Sequence, residues 1–259
     1  MDSLFIAATG MQTQQTAIDV IANNLANVNT PGFKKSRVDF EDLMYRSSND
    51  LAAIPLTQVE SQKFSGLGSA ITGTSKIFST GDMKQTESPY DFAINGDGFF
   101  EVVLPDGSFA YTRTGAFSVN QDNYLVNADG HMINPMISVP SDTEQLLVKP
   151  NGKVLAQLAG EQELMELGEL ELASFVNQTA LEPIGNNLYL KNRQSGDAIY
   201  NTPGENGSGT LAQGFLESSN VKLVEELSSL MLAQRAYEIN SKVIQAADEL
   251  MGIVNNLKR

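Results

Sequence analysis

The 259-residue sequence contains no cysteine, no tryptophan and a single histidine, His131. The missing cysteines exclude disulfide frameworks, thiolate metal sites and cysteine nucleophiles. One histidine excludes a histidine-rich metal centre and a paired-histidine catalytic site. Aromatic residues make up only 7% of the chain, which points to a modest core. Basic residues are scarce too: 17 Lys and Arg stand against 31 Asp and Glu, a net charge of −14. That balance opposes binding to nucleic acid or to anionic lipid, both of which need excess Lys and Arg. No run approaches the ~18 uninterrupted apolar residues that span a bilayer. The first residues, Met1-Asp2-Ser3-Leu4, carry an acidic leader and meet a polar break at Thr9, unlike a secretory signal. By these rules the protein is expected to be soluble and cytoplasmic, unless an export route without a cleaved leader handles it.

What is present falls into three zones. In residues 1–30, Leu4, Met11, Ile18 and Leu25 recur every seven residues, and Ala7, Gln14, Ile21 and Val28 form a companion seam. Asn29-Thr30-Pro31-Gly32 then stops the helix, because proline disfavours helical geometry in the residue before it. Residues 221–257 predict a longer helix. Leu223, Leu230, Tyr237, Ile244 and Met251 repeat at seven, Ala233, Ala247 and Val254 sit in the second seam, and Leu227, Val243, Leu250 and Leu257 widen the stripe. Ser218-Ser219-Asn220 offers capping residues ahead of it. At 1.5 Å per residue the two helices would be roughly 40 and 55 Å long.

The middle zone has the marks of an antiparallel β domain: short strands with turn signals every ten or so residues. Phe99 to Val103 and Phe109 to Thr112 flank Pro105-Asp106-Gly107, Phe117 to Val119 and Tyr124 to Val126 flank Asn120 to Asn123, and Leu146 to Val148 and Lys153 to Leu155 flank Pro150-Asn151-Gly152. Charge follows the same division: residues 76–214 carry net −11, residues 1–75 carry −2 and residues 215–259 carry −1. Nearly neutral striped ends suit burial against other chains, and an acidic middle suits solvent. Between them, Val38 to Tyr45 reads equally as a strand or a short helix, and Ser47 to Thr57 reads as a polar loop. The fold class is therefore α+β, with N- and C-terminal helices forming a coiled-coil assembly domain around an antiparallel all-β middle. The expected divisions are 1–33 with 215–259, a connecting segment 34–75, and the β domain 76–214.

Catalytic signatures do not materialise. Gly207-Ser208-Gly209-Thr210-Leu211-Ala212 fits a loose dinucleotide pattern, but Gln213-Gly214 follows where a helix should start. Asp97-Gly98, Asp106-Gly107 and Asp129-Gly130 lack the ligand series of a calcium loop and read as turns. His131 beside such a turn reads as a surface or hydrogen-bonded residue. The acidic stretch from Glu161 to Glu171 offers carboxylates, yet alternation puts Glu169 and Glu171 on one strand face, most simply a solvated one. No enzyme, cofactor, metal or small-molecule substrate is expected.

Four ordered motifs carry a resemblance. Asp19-Val20-Ile21-Ala22-Asn23-Asn24-Leu25-Ala26-Asn27-Val28-Asn29-Thr30-Pro31-Gly32-Phe33-Lys34 closely resembles the N-terminal signature of the bacterial flagellar rod and hook family. Gln213-Gly214-Phe215-Leu216-Glu217-Ser218-Ser219-Asn220-Val221, continuing through Ala233-Gln234-Arg235-Ala236-Tyr237-Glu238-Ile239-Asn240-Ser241-Lys242, resembles its C-terminal signature. Asp91 to Phe100 and Ala110 to Phe117 are similar to the core of its β domain. The resemblance implies a structural subunit that polymerises helically into the drive shaft between motor and hook, passing torque along it. It also implies proximal rod proteins below, the hook protein above, ring proteins around it, and passage through the flagellar type III export machinery without a cleaved signal into a rod crossing the periplasm. Proximal rod or hook subunits are the near alternatives, and a periplasmic ligand-binding β protein a distant one.

On this reading the assembly contacts are Leu4, Met11, Ile18, Ile21, Asn23, Asn24, Leu25, Asn27, Val28, Leu223, Leu227, Leu230, Tyr237, Ile244, Met251 and Val254. The same stripes also suit a purely intramolecular hairpin, but helices of unequal length leave part of the longer stripe uncovered. Asn23, Asn24 and Asn27 are poor helix formers. They serve either as plain surface residues or as amides that reach neighbouring backbones and fix register between stacked subunits. Arg235 and Glu238 pair with each other or across subunits.

Overall fold

A computed structural model describes residues 2–43, 45–47, 64–66, 68–160 and 163–257. Most of the polar stretch expected between Ser47 and Thr57 lies outside them, as does Glu161. The chain forms two compact units: Met1–Leu25, Ser36–Ser75 and Leu223–Arg259 make one, Ala26–Lys35 and Lys76–Lys222 the other. The class is α+β.

The first unit holds two long helices, α1 (Asp2–Ala26) and α2 (Leu223–Leu257). α1 ends before the proline, in the turn where Thr30 N donates to Asn27 O at 3.1 Å. The segment that reads equally as strand or helix is a strand, Ser36–Asp42, decided by a distant partner, Ser69–Lys76. A second small ladder pairs Tyr45–Ser47 with Phe64–Gly66. Among the described residues no helix is long and apolar enough to cross a membrane.

The second unit is built on a seven-stranded antiparallel sheet in the order Glu182–Gly185, Leu188–Leu190, Phe109–Thr112, Phe100–Val103, Met132–Asn134, Leu125–Asn127, Phe117–Val119. Its hairpins form where the turn residues indicate. Between Val103 and Phe109, Gly107 takes φ +82° and Asp106 Oδ1 accepts from Ser108 N at 2.9 Å. Thr143–Val148, Lys153–Leu158 and Leu164–Glu169 make a separate three-stranded sheet. Phe92, Phe100, Phe117, Leu125, Ile133 and Leu172 centre the main core. A second cluster stacks Phe78, Phe99, Tyr111, Phe175 and Tyr189 edge to face, with Tyr111 and Phe175 centroids 4.7 Å apart. Glu101 lies buried in a sheet strand, where it accepts from Tyr200 Oη at 2.5 Å and from Asn134 Nδ2. Burial, and hydrogen bonding to Tyr200 and Glu101, hold the Tyr111 hydroxyl proton well above the ordinary phenol range.

Two two-stranded ladders join early and late parts of the second unit. Met83–Gln85 pairs with Phe215–Glu217, and Phe92–Asn95 with Thr210–Gln213. Within the Gly207–Ala212 stretch Gly209 has a packing reason, since a Cβ there would fall 2.8 Å from the Asn95 carbonyl oxygen, while Gly207 lies in open space at φ +79°. His131 closes a turn, its N–H donating to Asn127 Oδ1 at 2.8 Å.

Candidate assembly surface

Two contacts place α1 beside α2. A Cβ on Gly10 would lie 2.9 Å from Asn240 Nδ2, and Asn24 Nδ2 donates to Glu226 Oε2 at 3.3 Å. Position 10 faces 240 and position 24 faces 226, so the helices run antiparallel. The strand after residue 68 also borders α1, with Thr13 Oγ1 and Ser69 Oγ 3.2 Å apart. The seam residues of α1 are correspondingly covered: Ala7 is buried, and Leu4, Met11, Ile18, Ile21, Leu25 and Val28 are half-buried.

The seam read on α2 divides. Leu230 and Ile244 are half-buried, and with Glu226, Ala233, Asn240 and Ala247 they form a covered stripe at steps of four and three, broken at the exposed Tyr237. Leu223, Leu227, Tyr237 and Met251 are exposed, and the Val254 side chain lies outside the described residues. Sequence reasoning named Val243 and Leu250 only as widening the seam and missed the further stripe, turned away from the covered one, to which they belong. Leu232, Ile239 and Ile253 fall on a seven-residue repeat, with Val243 and Leu250 beside them, all exposed. Leu232 is 67% exposed, Ile239 60% and Leu250 64%. Val224 and Met231 extend the apolar surface toward the start of the helix. The signal was in the sequence, since Ile239 and Leu232 repeat at seven as plainly as Leu223 and Leu230 do. Arg235 and Glu238 are exposed on the same helix.

The three asparagines differ. Asn23 is exposed, Asn27 is half-buried and Asn24 is 1% exposed. Asn24 works within the chain. Its Nδ2 donates to Ser36 O at 2.9 Å and its Oδ1 accepts from Ser36 N at 2.9 Å, so one side chain caps a strand as another strand would. Replacing Asn24 by Ala strips partners from the half-buried backbone groups of Ser36 and costs about 1–3 kcal/mol. Asn24→Asp is worse, because it keeps the acceptor, loses the donors and sets a carboxylate against Glu226. Urea unfolding of the two variants, with exchange of the Ser36 amide, checks this ordering.

The helices and the β unit are matched by three family models: "Flagella basal body rod protein" over residues 4–34, "Flagellar hook protein FlgE/F/G D1 domain" over 93–156, and "Flagellar basal body rod FlgEFG protein C-terminal" over 212–257. The chain is 44% identical to the flagellar basal-body rod protein FlgG of Borreliella burgdorferi over all of this chain and 99% of that one. It is 40% identical to FlgG of Caulobacter vibrioides across the full length of both chains. Against FlgF of the same bacterium identity is 31%, over 96% of this chain and 94% of the other. The chain belongs to the flagellar hook and basal-body rod family. Within that family its likeness runs to FlgG, the distal rod protein, and it is a structural subunit of the flagellar distal rod.

Proposed function

We propose that copies of this chain polymerise helically through α1 and α2 into a straight shaft that carries motor torque to the hook. The observation behind this reading is the apolar stripe of α2 on the side away from its covered seam, repeated at seven residues over more than twenty positions and exposed throughout. A monomer gains nothing from such a stripe, and coiled-coil packing against helices of neighbouring copies removes it from water. The contacts divide accordingly. Leu4, Met11, Ile18, Ile21, Leu25, Val28, Leu230 and Ile244 hold α1 against α2 as an antiparallel coiled coil, with Asn24 as its polar lock. Leu223, Leu227, Tyr237 and Met251, with Leu232, Ile239, Val243, Leu250 and Ile253, meet neighbouring subunits. Asn23 and Asn27 border those contacts, and Val254 continues the seam.

The place of such a shaft implies proximal rod proteins below, the hook protein above and ring proteins around it in the periplasm. The chain reaches that place unfolded through the flagellar type III export machinery, without a cleaved signal, and the absence of cysteine avoids trapping by disulfides outside the cytoplasm. No catalysis enters this role. Negative-stain microscopy of the purified chain, concentrated stepwise, tests it beside a version lacking residues 1–25 and 223–259. Tubes from the full chain alone are the expected result. A monodisperse monomer at every concentration refutes helix-driven polymerisation.

A further inference from the structure

The two compact units are joined along the chain only where residues 25, 35, 75 and 222 are succeeded by the next. On the β-unit side these four passages begin or end in three short segments, 26–35, 76–81 and 217–222, and those segments are tied to one another at a single corner. Ile77 N donates to Lys35 O at 2.9 Å, and Lys35 N donates to Asn220 Oδ1 at 2.8 Å. Asn220 Nδ2 in turn donates to Ile77 O at 2.8 Å and reaches Ser79 O at 3.2 Å, so one side chain touches all three. Gly32 N donates to Glu217 O at 2.8 Å, and a Cβ on Gly81 would lie 2.0 Å from Ser218 O.

An ionic centre lies under this corner. Lys34 Nζ donates to Glu217 Oε1 and to Ser79 O, both at 2.7 Å, and Gly81 N donates to the same carboxylate oxygen at 2.8 Å. Arg113 approaches the other oxygen, Nε to Oε2 at 3.6 Å, while its Nη2 donates to Gly96 O at 2.7 Å and its guanidinium covers the Phe99 ring. Lys34 and Glu217 have side chains 1% exposed and Arg113 2%. Burial pulls both the Lys34 and Arg113 pKa values below their ordinary ranges, with Glu217 opposing the shift in each case. A buried carboxylate and two buried cations are a poor means of gaining stability, since apolar groups of similar volume do as well or better. What the ions supply is direction: charge-assisted hydrogen bonds fix a position, whereas apolar surfaces slide.

We infer that this corner is a mechanical joint, an ionic clamp that holds the roots of both chain ends in fixed register within the β unit, so that load arriving along one root is shared with the other. The inference rests on the distal rod reading. Lys34, 183 residues from Glu217 in the chain, ties the segment after α1 to the one before α2. Both must be in place for the clamp to close, so a chain with only one end delivered has no joint.

The test uses the full chain in motile cells of the source bacterium lacking their own copy. Glu217→Gln keeps the shape and removes the charge. In the purified variant the amides of Gly32, Lys35 and Gly81 will exchange about tenfold or more faster, with those of Phe100–Val103 unchanged. Cells carrying it will build rods and swim in dilute medium but lose flagella in viscous medium. Lys34→Met/Arg113→Met/Glu217→Met guards against simple misfolding: it leaves no unpaired buried charge, its β unit stays folded by circular dichroism, and the load defect persists. The joint is refuted if either variant bears viscous load like the native chain, or if the Glu217→Gln exchange increase is uniform over the β unit. If deleting the whole chain leaves cells motile, the rod reading itself fails, an outcome separate from failure of the joint.

Discussion

Ile239→Asp will abolish polymerisation while the monomer unfolds within about 0.5 kcal/mol of the native chain, as surface substitutions usually do. Ile239 is 60% exposed, on the stripe of α2 turned away from the covered seam, so in the monomer the new carboxylate meets water. In a packed array the same carboxylate is buried without a cation, at a cost of several kcal/mol per contact. Every subunit repeats the defect, and each ~1.4 kcal/mol raises the concentration needed for assembly tenfold. Sedimentation of concentrated samples, with circular dichroism of dilute ones, reads both halves of the expectation. Leu230→Asp provides the contrast. Leu230 is half-buried on the covered seam, so a charge there disturbs the chain's own helix pairing and lowers monomer stability first. Normal tubes from Ile239→Asp would remove the exposed stripe from the interface.

The difference between those two leucine and isoleucine positions marks where sequence stops being informative. A seven-residue repeat says that a helix has a stripe. It does not say what covers it, and α2 has two. The lengths of both helices were legible because periodicity is local, and α1 differs from its reading only at the end, where Asn27 to Thr30 turn before Pro31 can act. The hairpins at 103–109 and 148–153 were legible for the same reason, since Gly107 and Gly152 both need positive φ. Contacts across long separations were not. Lys34, Glu101 and Glu217 are charged residues that composition alone assigns to solvent, yet each is buried by partners far away in sequence. For Asn24 the sequence left a surface residue and an amide between subunits equally open; that it holds the backbone of Ser36 in its own chain depends on the strand turning back beside α1. The family signatures held these residues without revealing their purpose. Asn24, Lys34 and Glu217 all fall within them, and the structure gives each a physical task.

The segment Tyr111-Thr112-Arg113-Thr114-Gly115-Ala116-Phe117 shows the same thing for the β unit and yields the largest expected effect on stability. Arg113 serves the ionic corner and Phe117 the core, its ring 5.2 Å from that of Phe100. Gly115 between them has no side chain because there is no room for one. A Cβ there would lie 1.5 Å from the Phe92 carbonyl oxygen and 2.7 Å from its carbon. The obstacle is backbone, and Phe92 N already donates to Gly115 O at 2.9 Å, which holds the two strands at that separation. Gly115→Ala must therefore push apart two segments whose side chains fill the main core, where Phe92 is fully buried. The loss will exceed about 3 kcal/mol, a large share of the 5–15 kcal/mol by which a typical domain is stable. Two other glycines separate crowding from conformational strain. Gly107 takes φ +82° in open space, so alanine there meets strain alone, roughly 1–2 kcal/mol. Gly73 has open space and no positive φ, so alanine there is neutral or slightly stabilising. Urea unfolding of the three variants should rank them Gly73, Gly107, Gly115 in order of increasing damage. A Gly115→Ala protein as stable as the Gly107→Ala protein would mean that the strands at Phe92 and Gly115 can separate freely. The β unit would then lack the rigidity that a torque-carrying subunit requires.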